Sequence, residues 1–248
     1  MKLLTTTLVL LGLTTASATA QQFDVNLPSP NAGLVLRPTD QLTNKLQGKM
    51  DHTYGNAWRN LDGQPWIQRS WQPGELVMSK GRMVDLLLRY DAYGQQLLGV
   101  TKGKTDTLLL DHRLVQSFVM KDEAGAGTMR TFRRFDNAPQ PEQRLNFVEV
   151  LHAGKYSLLK HHGRQLHRAA EGGVVLNGDS NNDRISEVYT YYLSRPDGTT
   201  VPVKLNAKAI SAAAPELAAA IKTAQASKKA DSSEAGMAAL LDGVDKAQ

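Results

Sequence analysis

The 248-residue chain contains no cysteine, so disulfides, thiolate metal sites and thiol nucleophiles are all excluded. It also lacks an apolar run of the roughly 18 to 20 residues that a bilayer-spanning helix needs, and it shows no collagen period, coiled-coil heptad or internal repeat. Charged residues are few, at 21%, and hydrophobic residues make up 41%. That balance describes a folded globular chain, not a disordered one. No Gly-x-Ser-x-Gly elbow and no His-Glu-x-x-His pair occurs, which removes the commonest hydrolase and zinc-protease signatures.

Residues 1–20 read as a secretory signal. Lys2 supplies a minimal positive start, Leu3 to Leu13 an apolar core broken by threonines, and Ala18-Thr19-Ala20 a small-x-small cleavage site. The expected mature start is Gln21, and the expected location is the periplasm or the cell exterior. No cysteine follows the apolar core, so a lipid anchor is not expected, nor is a membrane span after signal cleavage. Loss of residues 1–20, with Lys2, leaves 228 residues and a net charge of +4. An exported chain without disulfides must be held by its core alone, and this length can bury enough apolar surface to do so. Small disulfide-stapled scaffolds are ruled out.

Residues 21–60 carry Pro28, Pro30 and Pro38 and little periodicity, which predicts an extended lead-in. Trp58, Trp66 and Trp71 then fall close together among Gly63, Pro65, Pro73 and Gly74. They suit either an aromatic platform for a sugar ring or, as the more ordinary reading, a plug at one end of a β core. From 75 to 205 the sequence alternates short apolar segments with turn chemistry. Strands are expected at 76–78, 82–90, 97–101, 106–110, 114–120, 128–135, 145–152, 156–162, 185–193 and 199–205. Gly81, Gly94 and Gly103 stand where tight turns require positive φ, so consecutive strands should pair as antiparallel hairpins. The predicted fold is mainly β (α+β), an antiparallel meander over 61–205 that forms a sandwich or partial barrel.

After residue 205 the composition changes, with 15 alanines in 206–248 and no aromatic beyond Tyr192. Asn206 can cap a short helix through Ile210, Pro215 can open a second carrying Leu217 and Ile221, and a third is expected around 235–241. Their apolar stripes are thin, so this short C-terminal helical appendage should rest on the β domain or on a partner.

Several blocks together resemble a family of exported β-rich proteins common in Bacteroidetes. These are Trp71-Gln72-Pro73-Gly74, Arg89-Tyr90-Asp91, Phe147-Val148-Glu149-Val150-Leu151, Tyr156-Ser157-Leu158-Leu159-Lys160, Tyr189-Thr190-Tyr191-Tyr192-Leu193 and the ending Val203-Lys204-Leu205-Asn206 with Ala214-Pro215-Glu216-Leu217. The resemblance implies export and a β-rich architecture with a helical end. The family has no assigned activity, so it brings no catalytic residue with it.

Asn177-Gly178-Asp179-Ser180 follows an apolar run, as in one lipase and esterase class, but that chemistry needs a downstream histidine base. The last histidine here is His167, which leaves an ordinary turn as the reading. Asp179, Asn181 and Asp183 follow the alternate spacing of a calcium loop, and Glu187 can add a ligand. Arg184 and Thr190 stand where an EF-hand needs Gly and Glu, so calcium is a possible cofactor set against a solvated Asx-rich loop, and no other cofactor is implied. His152, His161, His162 and His167 lack zinc-ligand spacing and read as strand histidines.

Residues 130–168 hold eight Lys or Arg against three acids, a local charge of +5. Arg130, Arg133, Arg134, Lys155, Lys160, Arg164 and Arg168 form a candidate anion-binding set, provided the strands turn them to one face. The functional expectation is an exported, non-enzymatic envelope protein that binds a protein partner or an anionic glycan or lipid, with no nucleic-acid partner. The alternative is an envelope-directed hydrolase with a carboxylate site drawn from residues such as Asp85, Asp91, Asp106 and Asp111.

Overall fold

The computed structural model of the chain describes residues 35–36, 61–103, 106–125, 127–168, 182–227 and 231–246. The expected signal at 1–20 and nearly all of the lead-in at 21–60 lie outside the described residues. Within them the protein is mainly β, with helices at the C-terminal end.

The strands are β1 (Val35–Leu36), β2 (Leu61–Asp62), β3 (Gln72–Met78), β4 (Gly81–Asp91), β5 (Gln96–Thr101), β6 (Thr107–Leu110), β7 (Val115–Lys121), β8 (Met129–Arg134), β9 (Phe147–His152), β10 (Ser157–His167), β11 (Asp183–Ser194) and β12 (Thr200–Val203). They form one open sheet in the order β12-β11-β10-β9-β8-β7-β3-β4-β5-β6, with β1 on β4 and β2 on β11. Every pairing along that path is antiparallel, and only the two-residue strands β1 and β2 pair in parallel.

The sheet is two meanders, not one. β3 to β6 form the first and β7 to β12 the second, joined where β7 lies beside β3. Local alternation specifies hairpin partners but not this contact between non-consecutive strands. Turn chemistry behaves as expected at Gly81 (φ 144°) and Gly103 (φ 82°). At the β4–β5 turn the left-handed residue is Gln95 (φ 53°), not Gly94, because the turn is organised from Asp91. The Asp91 carboxylate accepts from the Tyr93 and Gly94 amides at 2.8 and 2.9 Å. Nor does β10 end at His162: it passes straight through Gly163 to His167, paired throughout with β11.

Side-chain alternation divides the sheet into two faces. On the inner face Leu76, Leu88, Tyr90, Phe118, Phe132 and Phe147 belong to one buried apolar cluster, reached from both meanders. Tyr90 stands about 6 Å from the Phe118, Phe132 and Phe147 rings, and its hydroxyl accepts from the Phe147 amide at 3.3 Å. The other end of the inner face is covered by α1 (Ala207–Ala213), α2 (Ala218–Ser227) and α3 (Glu234–Lys246). Ile210, Leu217, Ile221, Met237, Leu240 and Val244 pack there against Leu158 and Leu193. Each such buried side chain contributes about 1.5 to 3 kcal/mol, which is how thin alanine-rich stripes are held in place. Asn206 caps α1 through the Ala209 amide at 2.9 Å, and Pro215 opens a short 3-10 turn that leads into α2.

The two arms of the open sheet touch across its mouth. Past β2 the chain leaves β11 and bridges to the end of β4, where Trp66 pairs with Asp91. Arg164 of β10 fastens this strap, donating to the carbonyls of Gln64 (3.1 Å) and Trp66 (2.8 Å) and to Glu187 (3.0 Å). Its side chain is only 1% exposed.

Candidate functional site

Between the two apolar clusters of the inner face lies a polar band. β8 contributes Arg130, next but one to Phe132. β9 contributes Glu149, next but one to Phe147, and β10 contributes Lys160, His162 and Arg164 in alternate positions. Cross-strand register places Phe132 opposite Glu149, and Glu149 opposite Lys160. Tyr189 and Tyr191 of β11 stand opposite His162 and Lys160.

Each charge in the band meets its opposite. Arg130 grips Glu149 with two hydrogen bonds, Nε to Oε1 at 2.8 Å and Nη2 to Oε2 at 2.7 Å. His162 Nε2 lies 2.7 Å from the same Oε2, and since an ionised carboxylate only accepts, Nε2 carries the proton. The approach of Arg130 Nη2 to that nitrogen, at 3.3 Å, is then a contact between two donors and not a hydrogen bond. Lys160 Nζ stands 2.6 Å from Glu234 at the start of α3 and 4.0 Å from the centre of the Tyr189 ring. The Tyr191 hydroxyl donates to the same Glu234 oxygen at 2.7 Å.

Burial by itself would raise the Glu149 carboxyl. The hydrogen bonds from Arg130 and then His162 outweigh it and hold the group down to about 2. Burial also lowers the His162 imidazole, against the pull of Glu149. The band therefore consists of an ionised carboxylate, a neutral imidazole and paired cations.

His161 points to the opposite face, where Asn146 Nδ2 donates to its Nε2 at 3.2 Å. Burial first, and repulsion from His162 second, lower its pKa to about 4. Its folded value lies below the unfolded 6.5, so its contribution to stability is complete above pH 6.5 and is lost as pH falls through about 4. That loss amounts to about 3 kcal/mol. Thermal unfolding measured from pH 7 to pH 4 should show the midpoint falling, and His161→Gln should flatten that fall.

The candidate anion-binding residues divide. Arg130, Lys160 and Arg164 share the inner face, as alternation places Arg134 with Arg130, whereas Arg133 pairs with Val148 and points outward. At least five of the seven have carboxylate partners: Arg130 with Glu149, Arg134 with Asp136, Lys160 with Glu234, Arg164 with Glu187 and Arg168 with Asp183. Lys155 is exposed in the β9–β10 turn, and burial lowers the Arg133 pKa.

Of the calcium candidates, Asp179 and Asn181 lie outside the described residues, as does Ser180. Asp183 is paired with Arg168, and Glu187 receives Arg164 and the Tyr189 hydroxyl. Among the described residues no three His, Asp or Glu side chains gather as metal ligands. His152 instead bonds Asp245 of α3 at 2.9 Å, and His167 meets Ser186 at 2.9 Å.

The carboxylates named for a hydrolase do not converge. Asp91 organises its turn and Asp111 holds Arg113, while Asp85 and Asp106 are exposed. The Trp plug is corrected by the structure: neither Trp66 nor Trp71 belongs to the apolar clusters, and Trp58 lies outside the described residues. The two half-buried rings flank Arg89, whose Cζ is 4.2 Å from the Trp66 centre and 5.9 Å from that of Trp71. The guanidinium is attracted to the indole faces there. On the outer face Glu75, Val77, Arg82, Ser117 and Thr131 border a hollow of about 100 Å³, below the roughly 300 Å³ at which small-molecule pockets begin.

Sequence reading places Arg130, Lys160 and Arg164 in the site but leaves Glu149, His162, Tyr189, Tyr191 and Glu234 out. The signal for the strand residues was the i, i+2 pattern: Glu149 shares the parity of Phe147, and Lys160, His162 and Arg164 share one face. Glu234 carries no such signal, because its position depends on how α3 docks. No family model, curated protein or solved structure matches this chain.

Proposed function

We propose that the chain is an exported, non-enzymatic binding protein of the cell envelope whose partner is another protein. The observation that carries this reading is the mutual neutralisation of the inner-face band. A general acid or base works best when its pKa lies near the working pH. Glu149 at about 2 stays ionised at any ordinary pH, and His162 is 2% exposed and hydrogen-bonded to it. A protein partner is favoured over an anionic glycan or lipid because at least five of the seven candidate cations already hold carboxylates, which weakens any positive field at the surface. Export is supported by residues 1–20 and by the family resemblance.

The test is a photo-crosslinking residue placed at position 189, where the tyrosine is 40% exposed, in intact cells, with position 113 as an exposed control. The expected result is a discrete protein adduct from 189 and none from 113. Absence of any adduct, together with release of soluble fragments when purified protein is incubated with isolated envelopes, would overturn the reading in favour of a hydrolase.

A further inference from the structure

Strand β11 has one full edge and one interrupted edge. β10 pairs with it continuously from Arg184 to Ser194. On the other edge β2 pairs at Asp183 and Arg184, and β12 pairs from Tyr191 to Ser194. Among the described residues no strand pairs with that edge in between.

Pro202 identifies the backbone groups that face the gap. It stands opposite Tyr192 and has no N–H, so that pair is the non-hydrogen-bonded kind, and Tyr191 and Leu193 bond β12. Alternation then turns the N–H and C=O of Glu187 and Tyr189 to the same edge. Ile185 belongs to this series, but Gly63 closes over it: a Cβ on Gly63 would stand 2.4 Å from the Ile185 carbonyl oxygen. At the other end the chain turns out of the sheet after β12, where the Asn206 amide bonds the Lys204 carbonyl and Asn206 caps α1.

Among the described residues, what remains open is 186–190, about 17 Å long at ~3.4 Å per residue. Strands on the same side wall the recess at both ends, each about 4.8 Å out. Another intact sheet edge, including that of a second copy, is kept off by those walls; a single extended segment is not. Val188 and Tyr189, 41% and 40% exposed, flank the gap on opposite faces, and they are two of the six exposed large apolar side chains among the described residues. An added strand would pair the four backbone groups and cover one apolar side chain on each face.

We infer that residues 186–190 of β11 receive an extended segment of a partner polypeptide, about five residues long and apolar on both faces, as an added strand between β2 and β12. The inference rests on the binding reading above and names its partner as a strand donor.

The test uses the mature chain, residues 21–248, and synthetic peptides of about ten residues with a central run of about five valines and isoleucines, apolar on both faces, and lysine at both ends. Amide hydrogen exchange is read at Glu187 and Tyr189. In the free protein both should exchange fast while Tyr191 and Leu193 are protected, and peptide at about 1 mM should slow both about tenfold. Glu187→Ala, which keeps the amide, should preserve the effect. Glu187→Pro removes an N–H that β10 does not use and should abolish it; if that variant fails to fold, Tyr189→Pro removes the other. Protection of the two amides in the free protein, no slowing with any peptide, or slowing that survives proline would each overturn the inference. A crosslink from position 189 that persists in Glu187→Pro would remove strand addition and leave the binding reading standing. Absence of the crosslink from the unaltered chain, together with release of soluble fragments from isolated envelopes, would remove the binding reading itself.

Discussion

Glu149→Ala should cost about 3 to 5 kcal/mol of folding stability and lower the unfolding midpoint by roughly 10 °C. The carboxylate is 7% exposed and accepts three hydrogen bonds, so its removal leaves the Arg130 guanidinium and the His162 N–H facing an apolar surround. The loss comes mainly from those orphaned partners, not from the missing attraction. Replacing all three together, as Arg130→Met, Glu149→Leu and His162→Leu, should therefore recover most of it, because no charge then remains buried. Denaturant unfolding of the single and triple variants checks both statements. The pH dependence has a definite sign. With a folded pKa of about 2 against 4.5 unfolded, the stabilisation by Glu149 is complete above pH 4.5 and is lost as pH falls toward 2. Acid denaturation of the intact protein should thus have two parts, the loss at His161 between pH 6.5 and 4 followed by the loss at Glu149.

Arg164→Ala should cost about 3 kcal/mol and loosen one end of the sheet more than the rest. The side chain holds the carbonyls of Gln64, Gly163 and Trp66 and one oxygen of Glu187, all from a position almost closed to water. Without it the strap from β2 to β4 still has the stacking of Arg89 on Trp66 and its backbone bonds, Ile67 N–H to Tyr90 at 3.1 Å and Ala92 N–H to Pro65 at 2.9 Å. Amide exchange at Ile67 and Ala92 should accelerate in the variant, while amides of β9 and β10 keep their protection. Arg164→Lys should recover only part, since an ammonium cannot reproduce the planar fork that reaches several acceptors at once. Uniform acceleration across the sheet would contradict a strap held chiefly by this residue.

Much of this architecture was legible in the sequence because alternation and turn residues act locally. The hairpins from β3 to β6 and from β7 to β12 follow from apolar side chains at every second position, and Asn206 and Pro215 marked the helix starts. The β3–β7 contact was not legible, because it joins strands separated by a whole meander and leaves no local mark. The inner-face band was half legible. Arg130, Lys160 and Arg164 stand out by charge, whereas Glu149 entered the sequence reading within a resemblance block and as one of three acids set against a basic segment. Only the register of β8, β9 and β10 makes it the centre of the band. A basic run in sequence predicts a basic surface only when its acids lie elsewhere, and here Glu149, Glu187 and Glu234 are brought to the same face by neighbouring strands and by α3.

The most direct measurement is the titration of the Glu149 carboxyl by carbon NMR, with the His162 imidazole followed in the same samples. The expected result is a carboxyl that stays ionised down to about pH 2 beside an imidazole that is neutral at pH 7, the state of an interior neutralised in place. A Glu149 that titrates between about pH 5 and 7, in the range of a working general acid, would contradict the account and return the band to the role of a catalytic site.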